Sequence, residues 1–192
     1  MKENETLKIN PLPSKTWYWL HLNDTTVKWN GNVQPCMVTT EEPEQVSEAG
    51  LNIKEMTTGA GAEADTLFSD ENLPVLQLTA KAEDGERIIR LDISGEDKEN
   101  AAGTVYITTE ENAHVTVIEK FISGKKAQSD LAFRTKLYAK KNSRIRLVQI
   151  NMLDEGQRLL NAVGSVCDET AKLDDLQMLI GRGDVYNGIQ TE

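Results

Sequence analysis

The chain has 192 residues, 39% of them apolar and 27% charged, and 21 Lys plus Arg against 31 Asp plus Glu give a formal charge of −10. That length allows one domain, or one domain with an appendage, and can bury a real core. The acidic balance disfavours general binding to nucleic-acid phosphates, and the lack of any long apolar run leaves no candidate membrane-spanning helix. The opening Met1-Lys-Glu-Asn-Glu-Thr-Leu-Lys has no apolar core of the signal-peptide kind, so the cytoplasm is the expected compartment. Cys36 and Cys167 lie 131 positions apart, which makes neither a close pair nor a metal-ligand spacing.

Residues 1–10 are polar and expected to fray. In Pro11–Asn23 two of the three tryptophans fall close together behind Pro11 and Pro13, which impose an extended course. Trp17, Leu20 and Trp19 offer an apolar face there. It reads as an anchor or lid packed on the main domain, with ligand stacking as the alternative. Val27-Lys28-Trp29 before Asn30-Gly31 reads as a short strand entering a turn. Residues 39–72 read as a linker with one or two short helical pieces. Thr40 and Pro43 supply helix-start signals, and Gly59-Ala-Gly-Ala-Glu-Ala-Asp65 looks permissive. It is no phosphate loop, since it lacks the Gly-Lys-Ser/Thr ending and a preceding apolar strand. Residues 1–72 thus form an N-terminal segment, and 73–192 the core.

Strand character begins at Leu73. Val75–Thr79 and Arg87–Ile93 flank Glu83-Asp84-Gly85 and look like a first, degenerate copy of a unit that then recurs over Val105–Phe121, Lys136–Ile150 and Val163–Leu179. Each copy has a strand-like run, a short polar turn with a small residue, and a second run. Asn112-Ala113-His114-Val115, Asn142-Ser143-Arg144-Ile145 and Thr170-Ala171-Lys172-Leu173 occupy one place in it, with offsets of 30 and 28 residues. Within the copies the apolar residues alternate. Val115, Val117 and Phe121 face one way; so do Ile145, Leu147 and Gln149, with Arg144, Arg146 and Val148 opposite. Period two means half-buried strands. A unit of this size cannot bury its apolar face alone, but a stack of such units can. A stacked β-solenoid and a β-sandwich both fit. The only Asn-Gly pairs, Asn30-Gly31 and Asn187-Gly188, do not sit between repeat strands, which favours the solenoid. Gly181–Glu192 reads as one more turn opening one more strand, with no visible cap. The solenoid is therefore expected to be incomplete at the C-terminus, from a truncated chain whose open end would self-associate.

Candidate chemistry is sparse. Lys125-Lys126 and the Lys136–Arg146 run hold most of the positive charge of the second half and read as solvated strand faces. His21 and His114 are the only groups with an ordinary neutral-range pKa. His114 matches Arg144 and Lys172 in the other copies, which argues for a surface position. Cys167 and Cys36 read as small hydrophobes. Asp174-Asp175 and Glu110-Glu111 are adjacent carboxylates, which a strand sends to opposite faces. Arg182-Gly183-Asp184 matches an adhesion tripeptide by chance. These residues define no catalytic group and no metal site, and they leave any cofactor-binding residue unknown.

Some stretches do suggest a family. Leu12-Pro-Ser-Lys-Thr-Trp-Tyr-Trp-Leu-His-Leu-Asn23 resembles the N-terminal motif of SufD-like proteins, which belong to the SufB/SufD family of the SUF iron–sulfur cluster assembly machinery. Asn112-Ala-His-Val-Thr-Val-Ile-Glu119, Leu159-Leu-Asn-Ala-Val-Gly-Ser-Val166 and Gly181–Ile189 are similar to the family's core strands. The resemblance covers roughly 12–30 and 75–192. It implies an all-β fold, a right-handed parallel β-helix preceded by an irregular, short-helical N-terminal segment. It also implies a non-catalytic scaffold that pairs with a B-type subunit and an ABC-type ATPase; a homodimer is a separate candidate pairing. It implies no cofactor in this chain alone, the iron–sulfur cluster being handled transiently by the complex. No site residue carries over from it. An interaction module without cofactor is the alternative function. A polysaccharide-active β-helix enzyme fits less well, since no carboxylates pair on one face.

Overall fold

The computed structural model describes residues 5–10, 25–29, 32–41, 51–69 and 71–192. The strands are β1 (Glu5–Ile9), β2 (Thr25–Trp29), β3 (Gln34–Pro35), β4 (Met37–Thr40), β5 (Val75–Ala80), β6 (Glu86–Ser94), β7 (Asn100–Thr109), β8 (His114–Ile122), β9 (Ser129–Ala139), β10 (Arg144–Met152), β11 (Gln157–Cys167), β12 (Lys172–Leu179) and β13 (Asp184–Thr191). Two short helices, α1 (Leu51–Glu55) and α2 (Ala62–Asp65), and two 3₁₀ turns complete the described elements. The Trp17–Leu20 cluster, His21 and the Asn30-Gly31 turn lie outside the described residues.

From β5 onward the chain is a parallel β-solenoid of four coils, β5–β6, β7–β8, β9–β10 and β11–β12, with β13 opening a fifth. Odd strands stack into one sheet in the order β13-β11-β9-β7, and even strands into a second in the order β12-β10-β8-β6-β4. The repeat seen in the sequence is the stacking register itself: Glu86, His114, Arg144 and Lys172 are neighbours on adjacent strands. The first, degenerate copy is the first coil.

The turn chemistry explains why the copies superpose. Asn112, Asn142 and Thr170 all have positive φ, at 63°, 58° and 63°. Asn tolerates this left-handed conformation and Gly prefers it; β-branched Thr170 does so at a cost. Each turn closes through a backbone bond back over three residues, Ala113 N–H to Glu110 O at 3.2 Å, Ser143 N–H to Lys140 O at 3.0 Å and Ala171 N–H to Asp168 O at 3.0 Å. The small residue that follows sits at the inner corner, where Ala113 and Ser143 are each 1% exposed and leave no room for a longer side chain.

The inward faces form one apolar core running along the axis, including Ile89, Leu91, Ile107, Val117, Leu137, Ile145, Leu147 and Leu159. Phe121 and Phe133 meet edge to face across it, with centroids 5.7 Å apart. At its N-terminal end β3 pairs with β7 and β4 runs antiparallel against β6, so that Cys36 is driven into the core between them. An antiparallel edge beside a proline offers no template for a further parallel coil.

The outer face of the first sheet is covered. The β1–β2 ribbon lays Leu7, Ile9, Val27 and Trp29 over a stripe of small or apolar residues, Ala102, Ala132, Leu160 and Ala162. The Gly59–Asp65 stretch, whose composition suggests permissiveness, belongs to the same cover: Ala60 and Ala64 are fully buried, with Leu67 and Phe68 beside them. Its small residues serve close approach. A Cβ on Gly59 would lie 2.2 Å from the backbone of Ile189, and one on Gly188 would lie 2.2 Å from that of Ala60. The Gly59 N–H donates to Val163 O at 3.1 Å, tying the cover to β11.

Candidate functional site

The inward faces are largely apolar; besides buried polar groups at Thr109, Ser143, Asn151 and Ser165, they carry one extended polar level toward the β12–β13 end. There the register stacks Glu119, Gln149 and Gln177 on β8, β10 and β12, while Asn161 and Asn187 stack on β11 and β13. Glu119 is 0% exposed. The Thr135 hydroxyl donates to its two oxygens at 2.9 and 3.1 Å, and Gln149 Nε2 donates to Oε2 at 2.7 Å. Gln149 also donates to Asn161 Oδ1 at 3.1 Å, while its Oε1 accepts from Asn161 Nδ2 at 2.6 Å and from Gln177 Nε2 at 3.0 Å. Asn161 Nδ2 donates onward to Asn187 Oδ1 at 3.1 Å. The Gln149 amide is thereby saturated and its orientation fixed. Its N–H dipole points at the Glu119 carboxyl, and the partners that donate to its oxygen polarise it further in that sense.

Burial acts against that arrangement and dominates. It pushes the Glu119 carboxyl up to about 7; the Gln149 and Thr135 hydrogen bonds pull the other way and the Asp175 charge adds to the rise. Glu119 is thus a proton-holding group in the neutral range, sealed inside a solenoid and wired by amides to the β12–β13 end. Sequence alternation places residue 119 inward with Val115, Val117 and Phe121, but the apolar pattern alone does not mark the carboxylate among them.

The residues singled out from the sequence are scattered. His114 opens β8 on the exposed outer face, beside Arg144 as the repeat requires. Cys36 is buried and its thiol is pushed up to about 12 by desolvation, while Cys167 is half-buried at the end of β11, its thiol raised by burial and by the Asp168 charge. Both are free thiols. Asp174 and Asp175 do diverge. Asp174 pairs outward with Arg144 at 2.5 Å and Arg146 at 3.8 Å, whereas Asp175 takes an inward register position beside Leu147. Glu110 and Glu111 lie in a turn, not on a strand, and both are exposed. In Arg182-Gly183-Asp184 the glycine answers to packing, since a Cβ there would lie 2.6 Å from Gln157 O.

One expectation for the basic run fails. Arg144 and Arg146 are on the outer face as read, but Lys136 is 2% exposed. Its Nζ donates to Lys54 O at 2.5 Å and lies 5.9 Å from the centre of the Tyr106 ring. Burial and the Arg134 charge push its ammonium down to about 8, with Asp65 opposing. The outer face of β9 is not solvated at this point because residues 51–69 lie over it. A single strand's pattern cannot reveal such a cover.

Among the described residues no three His, Cys, Asp or Glu side chains converge as a metal-binding group, and no described helix is long and apolar enough to cross a membrane. The fold and its interior define a parallel β-solenoid with an extended polar level in a largely apolar core. The family model for the SUF system FeS cluster assembly SufBD core domain matches residues 92–192. That match covers more than half of the chain, from the end of β6 through β13, and the chain belongs to this family. No curated protein and no solved structure matches it. Family membership ties the chain to SUF iron–sulfur cluster assembly.

Proposed function

We propose that this chain is a non-catalytic, SufD-like scaffold subunit that pairs with a B-type subunit and an ABC-type ATPase of the SUF machinery in the cytoplasm. The observation that carries the reading is the coincidence of the family match with the solenoid: residues 92–192 are the stacked strands β7–β13 together with the end of β6. A stacked sheet held by in-register hydrogen bonds is rigid and presents broad faces, which suits positioning of partners. The SufD-like assignment rests on the resemblance of Leu12–Asn23. In this reading the iron–sulfur cluster is cargo of the assembled complex, with no resident cofactor in this chain.

The test is anaerobic co-purification of the tagged chain, co-expressed with a B-type subunit and an ABC-type ATPase. Recovery of the B-type subunit in stoichiometric amount, lost when the solenoid is unfolded, is the expected result. Recovery of neither protein by a chain with β-rich circular dichroism and a cooperative melt would remove the scaffold reading.

A further inference from the structure

The two outer faces of the solenoid are treated differently. The first sheet is covered by β1, β2 and residues 51–69, but among the described residues no element packs on the outer face of the second. That face is apolar over much of its area. Register places Ile118, Val148 and Leu176 side by side on β8, β10 and β12, with Ile150 beside Met178 in the next outward row. The last row carries Ile122 and Met152, and Met37 continues it on β4. Leu176 is 48% exposed, Met152 47% and Met37 43%. Six of the ten exposed large apolar side chains among the described residues, Ile88 included, fall on this one face, so the exposure is concentrated, not scattered.

The size of the patch limits what covers it. Five strands at a spacing of about 4.8 Å span about 19 Å, and the three rows from Ile118 to Ile122 span about 13 Å. That is a few hundred Å² at most, well short of the roughly 800 Å² per partner of a standard protein interface. It matches one helix, about 10–12 Å across and three to four turns long.

The charge beside it limits the occupant further. The two rows toward the start of the strands hold Arg144, Arg146 and Lys172 with Glu86 and Asp174, the last paired with both arginines. Arg90 adds a cation at the β6 end of the Ile118 row, and Asp92 and Lys120 pair with each other in the Ile150 row. Cations outnumber acids along this border even with Asp174 paired, which on a chain of formal charge −10 is a local inversion of sign. We propose that the outer face of the second sheet is a docking surface for a single amphipathic helix of a partner protein, its apolar stripe on the Ile118–Val148–Leu176 and Ile150–Met178 rows and acidic residues along the flank that meets the arginines. Met side chains at Met37, Met152 and Met178 suit such a groove, since they adapt to the shape that binds.

Two synthetic helical peptides test this on the full chain. They share one leucine stripe, flanked in one by glutamates and in the other by lysines, and binding is followed by fluorescence anisotropy at low and high salt. The glutamate peptide is expected to bind saturably and about tenfold more tightly than the lysine peptide at low salt, with the gap closing as salt rises. Ile150→Glu should weaken it by about tenfold or more with the circular dichroism unchanged. Leu176→Glu, on the neighbouring strand, should do the same and serves if Ile150→Glu does not fold. Equal binding of both peptides, no binding, or binding that both variants leave untouched would overturn the proposal. So would a dimer in sedimentation without peptide that Ile150→Glu dissolves, which would make a second copy the occupant. Retention on anionic vesicles that the same variant abolishes would assign the face to a lipid surface instead.

Discussion

Replacing Glu119 by Gln tests whether the solenoid interior holds a proton in place of a charge. A carboxyl whose pKa rises from 4.5 in the unfolded chain to about 7 in the fold binds its proton more tightly when folded. Its contribution to stability is therefore fully present below pH 4.5 and is lost as pH rises through 7. At 1.36 kcal/mol per unit the loss amounts to about 3 kcal/mol, a net figure in which the Gln149 and Thr135 hydrogen bonds already offset part of the desolvation. Gln is close to isosteric with the protonated acid. Its Oε1 accepts from Gln149 Nε2, and its amide N–H₂ reaches the Thr135 hydroxyl, which turns to accept. Glu119→Gln should therefore match the parent at pH 4 and exceed it by about 2–3 kcal/mol at pH 8, with the gap opening between those values. Urea denaturation by circular dichroism at stepped pH reads this directly, and the difference between the two curves cancels the other titrating groups. Parallel curves over that window would show that Glu119 titrates as an ordinary carboxyl. A variant less stable than the parent at pH 8 would refute the reasoning in the other direction, because the oriented amides would then more than compensate the buried charge.

Two further outcomes follow from close packing. Gly188→Ala puts a methyl 2.2 Å from the Ala60 backbone, so it should cost about 1–3 kcal/mol and make residues 56–61 the first site of limited proteolysis. Gly103→Ala puts a methyl 2.3 Å from the Cys36 sulfur. It should destabilise in the same range, and Cys36→Ala should restore most of the loss in a double-mutant cycle followed by thermal melts; additive effects would mean that the two positions do not touch.

The repeat was legible because stacking imposes it locally. An inward residue must be apolar, a corner residue small and a turn residue tolerant of positive φ, so Val115, Ala113 and Asn112 carry the same information as Ile145, Ser143 and Asn142. The solenoid, its turns and the outward place of His114 all follow from that. What escaped is set by partners distant in sequence. Lys136 reads as a solvated base on its own strand, and only the arrival of Lys54 and Asp65 from far upstream buries it. Gly59 reads as a permissive residue, and only the backbone of Ile189 shows that it is there for contact. Cys36 reads as a small hydrophobe and is one, but the antiparallel pairing of β4 that places it in the core has no local signal.

Glu119 is the intermediate case, and it shows what a repeat can disclose beyond fold. Its alternation phase is inward and its counterparts in the next two copies are Gln149 and Gln177. A lone inward carboxylate would be expensive and hard to credit from sequence. Three polar residues at one register position of successive coils are another matter, because stacking brings each within reach of the next and Gln149 can satisfy the neighbours on both sides. Aligned copies thus distinguish a satisfied polar level from a misread strand before any coordinates are known. The same alignment holds the outward rows Ile118–Val148–Leu176 and Lys120–Ile150–Met178, in which apolar residues recur where solvent alone would select polar ones. Polar inside and apolar outside, each repeated in register over successive coils, both depart from ordinary solenoid patterning. Each calls for a physical partner: the amide ladder is the partner of the first, and a docked acidic helix is the proposed partner of the second.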